Sequence, residues 1–124
     1  MVRAMVIDDS RAMRLILGRM LKEIGFEVSE ASHGKEALSK LAEGQPPEIA
    51  LVDWNMPEMN GIEFVVAVRA DPRFAGMRLM MVTTEAEIEH MTMALEAGAD
   101  EYVMKPFTKD VIVGKLALLG LASE

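Results

Sequence analysis

Five short apolar runs, each followed by a helical stripe, succeed one another along the chain, and few folds accommodate that order. Val2 to Ile7 is mostly apolar and ends on Asp8 and Asp9, and Ala50 to Val52 ends on Asp53. Leu79 to Val82 leads to Thr83 and Thr84, Tyr102 to Met104 leads to Lys105, and Phe26 to Ala31 alternates in polarity. Runs of this length bounded by polar residues predict strands, mostly buried ones. Between them, 11–24 carries Met13, Ile16, Leu17, Met20, Leu21 and Ile24 on one helical stripe, and 35–42 carries Ala37, Leu38 and Leu41. Helices are also predicted over 61–70, 86–97 and 109–121. Gly25 is a stop for the first helix. Asn60 with Glu63, and Thr84 with Glu87, have the spacing at which a side chain and a backbone amide satisfy each other, and Thr108 can cap the last helix.

Strict alternation of five strands and five helices implies parallel strands joined by helical crossovers. The expected fold class is α/β: a doubly wound, open five-stranded parallel sheet covered by helices on both faces. At 124 residues, with 51% apolar and 27% charged side chains, the composition is that of one ordinary globular domain, expected to span 1–124. No internal repeat or linker interrupts it, and Gly44, Gln45, Pro46 and Pro47 make only a tight loop. A net charge of -7 argues against nucleic acid or an anionic membrane surface as a partner and suits a bound cation. The absence of cysteine excludes a disulfide framework and a thiolate metal site. No targeting segment or bilayer-length apolar run is present, so a soluble, cytoplasmic, monomeric protein is expected.

In doubly wound sheets ligands sit beyond the carboxyl ends of the strands where the strand order reverses, between the first and third strands for the order 2-1-3-4-5. Those two ends carry Asp8, Asp9 and Asp53. Three carboxylates in one crevice repel, each pair at ~4 Å by about 4 kcal/mol at an intermediate effective dielectric. A divalent cation offsets that repulsion, and an oxygen-only donor set completed by water suits magnesium or manganese rather than zinc. Asp9 and Asp53 are the expected direct ligands. A carboxylate at such a site can also attack a phosphoryl group, whose transfer depends mainly on positioning and on neutralising its oxygens. Asp53 is placed to be that nucleophile. The remaining two strand ends offer a hydroxyl from Thr83 and a long cation from Lys105.

The set Asp8-Asp9, Asp53, Thr83 and Lys105-Pro106 resembles the response-regulator receiver family across essentially the whole chain. The segments Asp53-Trp54-Asn55-Met56-Pro57, with Gly61, and Lys105-Pro106-Phe107-Thr108 are most similar to its chemotaxis branch. The order 2-1-3-4-5 is likewise the one known for this flavodoxin-like group, not an independent derivation. The resemblance implies that Asp53 is the phosphoacceptor and that Asp9, Asp53 and the Asn55 carbonyl bind Mg2+, or Mn2+, with Asp8 acting through water. It implies that Lys105 and Thr83 hold the phosphoryl oxygens, that Thr83 and Tyr102 form a switch, and that the Lys105–Pro106 peptide is cis. Asn55 and Glu85 occupy the positions that tune dephosphorylation. The implied partners are a histidine kinase or histidine phosphotransfer domain and a downstream protein docking on the face of helix four, strand five and helix five. The implied function is a single-domain response regulator in a two-component phosphorelay, with chemotaxis as a possible setting, and not an enzyme beyond its own phosphorylation and dephosphorylation.

Two departures from the chemotaxis pattern stand out. Thr84 replaces an alanine, which predicts tighter access to the site. Glu85, Glu87 and Glu89 make the start of helix four acidic where chemotaxis members present lysines, which argues against the flagellar motor as target. Other features have plainer readings. Asp8-Asp9 alone would be a capping pair. Methionines such as Met80, Met81, Met91, Met93 and Met104 read as adaptable core filling rather than a binding surface, with the alternative that some line the face around Tyr102, and His33 and His90 read as surface residues. Arg11, Arg14, Arg19 and Lys22 make a basic side on the first helix, either solvated or, by the resemblance, a dock for the phosphodonor. Three alternatives remain: a receiver cut from a larger regulator, a magnesium-dependent aspartyl-phosphate phosphatase, and a nucleotide or flavin module. Asn55 stands where such a phosphatase needs a second acid, and Asp8-Asp9-Ser10-Arg11 lacks a glycine-rich phosphate cradle.

Overall fold

The computed structural model of the chain describes residues 2–84 and 89–121. Among them the elements run β1 (Arg3–Ile7), α1 (Arg11–Ile24), β2 (Glu27–Ala31), α2 (Gly34–Ala42), β3 (Ile49–Asp53), α3 (Gly61–Arg69), β4 (Arg78–Thr83), α4 (Met91–Ala97), β5 (Glu101–Met104) and α5 (Lys109–Leu118). The strands form one sheet of order β2-β1-β3-β4-β5, and every neighbouring pair is parallel. This is the expected α/β fold.

The central strand shows why the apolar runs become strands. All five residues of β3 are buried, as befits a strand covered on both faces. Ile49 and Leu51 pack with Leu17 and Leu21 of α1 and Ile112 and Leu116 of α5. Ala50 and Val52 point the other way, into a cluster with Leu41 of α2, Phe64 and Val68 of α3 and Met91 and Ala94 of α4. The period-two alternation of a strand thus feeds two cores, one on each side of the sheet.

The helix boundaries follow local chemistry. Ser10 Oγ accepts from the Met13 amide at the start of α1, and Gly25 ends that helix at φ 113°, in the left-handed region that glycine enters freely. Asn60 and Glu63 form the expected reciprocal pair at the start of α3, and Thr108 accepts from the Val111 amide at the start of α5. The last helix stops at Leu118, short of the expected 121, because Gly120 turns left-handed at φ 76° and the Leu121 amide donates back to Leu116. A 3-10 turn at Pro72–Phe74, not expected, is held by Asp71 accepting from the Arg73 amide. The expected start of helix four at 86, and the pairing of Thr84 with Glu87, lie outside the described residues. Met80, Met81 and Met91 are core residues as expected, whereas Met93 and Met104 are exposed, which corrects the core reading for these two and leaves the alternative of surface methionines. Met104 sits at the end of an edge strand, and Met93 is on the solvent side of α4.

Gly61 ties helix α3 to the end of β3. A Cβ there would lie 2.5 Å from Met81 Cε, 3.2 Å from the Asp53 carbonyl oxygen and 3.3 Å from Trp54 Cα. The methionine end can move; the two backbone atoms cannot. We therefore expect Gly61→Ala to destabilise the fold by about 1–2 kcal/mol despite alanine's better helix propensity. Urea unfolding checks this: the midpoint should fall with the slope unchanged.

Candidate functional site

Register brings the strand ends together. Ile7 pairs with Val52, Asp53 with Val82 and Thr83 with Met104, so the residues closing β1, β3, β4 and β5 share one edge of the sheet. Asp8, directly after β1, is 1% exposed, Asp53 is 7% exposed, and Thr83 is fully buried; Asp9 is exposed. Carboxylate oxygens of Asp8, Asp9 and Asp53 all lie within 4.8 Å of one another. Lys105 Nζ donates to Asp53 Oδ1 at 3.1 Å and lies 3.8 Å from Asp8 Oδ2. The Lys105–Pro106 peptide that follows β5 is cis.

Asp8 is held by its surroundings. Its amide donates to the Ala31 carbonyl at 3.1 Å, and its Oδ1 accepts from the Ser10 amide at 2.8 Å. Arg14 Nη1 donates to the Asp8 carbonyl at 2.6 Å while its Nε donates to Glu30 at 3.0 Å, joining the turn after β1 to β2. Asp8 Oδ2 is different: it is buried and accepts no hydrogen bond from the described residues. A buried carboxylate oxygen left in that state is expensive unless a cation, or a water held by one, meets it. The donor set is oxygen only, so the residues fit a hard divalent cation such as magnesium or manganese.

Electrostatics mark the same place. Burial, reinforced by the charge on Asp8, pushes the Asp53 carboxyl up to about 6, against the opposing pull of Lys105. Burial likewise raises Asp8, partly countered by the Ser10 amide and Lys105. One lysine does not balance three acids, and the cluster keeps a net attraction for added positive charge.

With this geometry in hand, comparison with known proteins is decisive. Residues 4–117 match the family described as Response regulator receiver domain. The chain belongs to the response regulator receiver family. Similar relatives include Chemotaxis protein CheY1 of Helicobacter pylori strain J99, 43% identical over 119 residues that cover 95% of this chain and 96% of that protein. The chemotaxis protein CheY homolog of Campylobacter jejuni is 42% identical over 124 residues, 98% of this chain and 95% of the relative. Among solved structures, chemotaxis response regulator CheY4 of Vibrio cholerae superposes with a TM-score of 0.88 at 32% identity, covering 96% of this chain and 98% of its own. Receiver domains are signalling switches, not classical enzymes, and act with histidine kinases and downstream targets. Among the described residues, no helix is long and apolar enough to cross a membrane.

Against the receiver pattern, Asp8, Asp9, Asp53 and Lys105 converge, and Thr83 closes the neighbouring strand with its hydroxyl donating to the Thr84 carbonyl at 3.2 Å. Asn55 is exposed in the loop after β3. Tyr102 is half-buried within β5, two residues before its end. Glu85 lies outside the described residues. Arg14 departs from its reading as part of a basic helix face: it supports the turn that carries Asp8. Sequence reasoning missed Ser10, although a serine just before a helical stripe is a capping signal. His90 is exposed, as expected, and its ring stacks on Trp54 with centroids 5.3 Å apart, a contact no spacing rule could have found.

The raised carboxyl of Asp53 has a defined sign for stability. Its folded value, about 6, exceeds the ordinary 3.8, so its favourable contribution is complete below pH 4 and is lost as the pH rises through 6. That rise, which already includes the opposing pull of Lys105, corresponds to an upper limit of about 3 kcal/mol at neutral pH, lessened by solvent reaching the partly open site. Asp53→Asn, in metal-free buffer, should therefore be roughly 1–2 kcal/mol more stable than wild type at pH 7.5, with the gap closing by pH 4. Thermal unfolding of both proteins across that range checks it, and a gap that ignores pH would contradict the assignment.

Proposed function

We propose that the chain is a phosphorylation switch of a two-component phosphorelay, in which Asp53 accepts a phosphoryl group from a histidine kinase or a histidine phosphotransfer domain. The observation that supports it most is the convergence of Asp8, Asp9 and Asp53 around one buried, unsatisfied carboxylate oxygen, with Lys105 spanning Asp53 and Asp8. In this reading Asp9, Asp53 and the Asn55 carbonyl bind Mg2+ directly and Asp8 acts through water. When bound, the metal supplies the positive charge that the acid cluster lacks and neutralises phosphoryl oxygens.

The remaining chemistry belongs to the chain. An Asp53 oxygen attacks phosphorus, an acyl phosphate forms, and the phosphorus–nitrogen bond to the donor imidazole breaks. Lys105, already 3.1 Å from Asp53, is placed to exchange that carboxylate partner for a phosphoryl oxygen. Thr83 turns its hydroxyl from the Thr84 carbonyl toward the phosphoryl group, and Tyr102 follows. Asn55 and Glu85 set how fast water removes the group. Output is a change in affinity for a downstream protein on the face of α4, β5 and α5, where Met93, Leu95 and Met104 are exposed apolar side chains. Relatives named as chemotaxis proteins support a chemotaxis setting for the switch.

Incubation with a small acyl or amido phosphate and Mg2+ should add the mass of one phosphoryl group to the intact protein. Chelation of the metal, or Asp53→Asn, should abolish the addition, and a substituted protein that still gains the mass would refute Asp53 as acceptor.

A further inference from the structure

The ring of Tyr102, the chain's only tyrosine, does not stand alone on the edge strand. Lys115 of α5 places Nζ 4.7 Å from the ring centroid, within the range of a cation–π contact. The same Nζ donates at 3.0 Å to Glu101 Oε1, and that oxygen also accepts from the Tyr102 amide at 2.9 Å. The Lys115 and Glu101 side chains are only 25% and 19% exposed. A lysine with four rotatable bonds would ordinarily leave a ring for water; here one carboxylate oxygen fixes both the ammonium and the backbone of the residue it covers.

We propose that Glu101 and Lys115 are positioning residues that clamp the Tyr102 ring in its resting place and thereby set how readily the site is activated. The proposal rests on the switch role of Tyr102 given above and deepens it. The contact occurs together with Lys105 bonded to the Asp53 carboxylate and the Thr83 hydroxyl bonded to the Thr84 carbonyl, so any state in which the ring leaves Lys115 forfeits it. A contact made in only one of two states shifts their equilibrium by its own worth. The clamp therefore favours the resting state, and loosening it raises the share of molecules ready to hold a phosphoryl group.

The test titrates the Mg2+-loaded protein with the fluoride complex of beryllium, a tetrahedral stand-in for a carboxyl-bound phosphoryl group, and follows the single tyrosine ring by NMR. Lys115→Met and Glu101→Gln should bind it about two- to fivefold more tightly than wild type, the change a partly exposed cation–π contact supports. In both, the ring signal should already lie nearer its activated position before addition. Lys115→Arg, which keeps the charge and can stack on the ring, should behave as wild type. A merely structural role would change melting temperature and leave affinity alone. If the wild-type ring signal ignores the addition, the switch role of Tyr102 falls and the proposal with it. If the signal responds but both loosened variants bind with wild-type or weaker affinity, only the clamp is overturned.

Discussion

One lysine among three carboxylates is the constraint around which the molecule is arranged. Lys105 reaches Asp53 at 3.1 Å and Asp8 at 3.8 Å, and the pairing leaves Asp8 Oδ2 buried without a hydrogen bond. Such a cluster would spread apart in a pliant chain. It persists because β1 and β3 are central strands, with apolar residues fully buried on both faces, and because the Ser10 amide, the Ala31 carbonyl and Arg14 fix the turn after β1. Packing on both faces thus sustains an electrostatically unfavourable arrangement at one edge, the exchange of stability for function that strained sites commonly show.

Much of this was legible in the residues because a parallel sheet sends the carboxyl end of every strand to the same side. With the apolar runs as parallel strands in the family's order, Asp8, Asp9, Asp53 and Lys105 meet, and Thr83 closes the strand beside Asp53. The caps at Asn60 and Thr108 were legible for a similar reason, since capping depends on residues three apart. What escaped depends on long side chains crossing between elements. Arg14 looked like one cation on a basic helix face, yet its guanidinium reaches back to Asp8 and across to Glu30. Periodicity places a side chain on a face and says nothing about where four rotatable bonds carry its end. The stack of His90 on Trp54 and the grip of Lys115 on Tyr102 belong to the same class.

The sheet order also separates strands packed on both sides from one packed on a single side. Asp8 and Asp53 end strands with neighbours on both sides, whereas β5 is an edge strand paired only with β4. Its burial is correspondingly one-sided: Val103 is buried toward α1 and α5, while Tyr102 on the opposite face is half-buried. A ring at such a rim can take up a second position without opening a core cavity, which a residue on β3 could not do. The two regions are still joined. The Lys105 amide donates to the Thr83 carbonyl at 2.7 Å, and Met81 lies beside Tyr102 in the ladder. In the proposed switch, a displacement of Thr83 toward a phosphoryl group would act directly on the backbone that carries both Lys105 and Tyr102, so readout would require no path through the core, only the short ladder between β4 and β5.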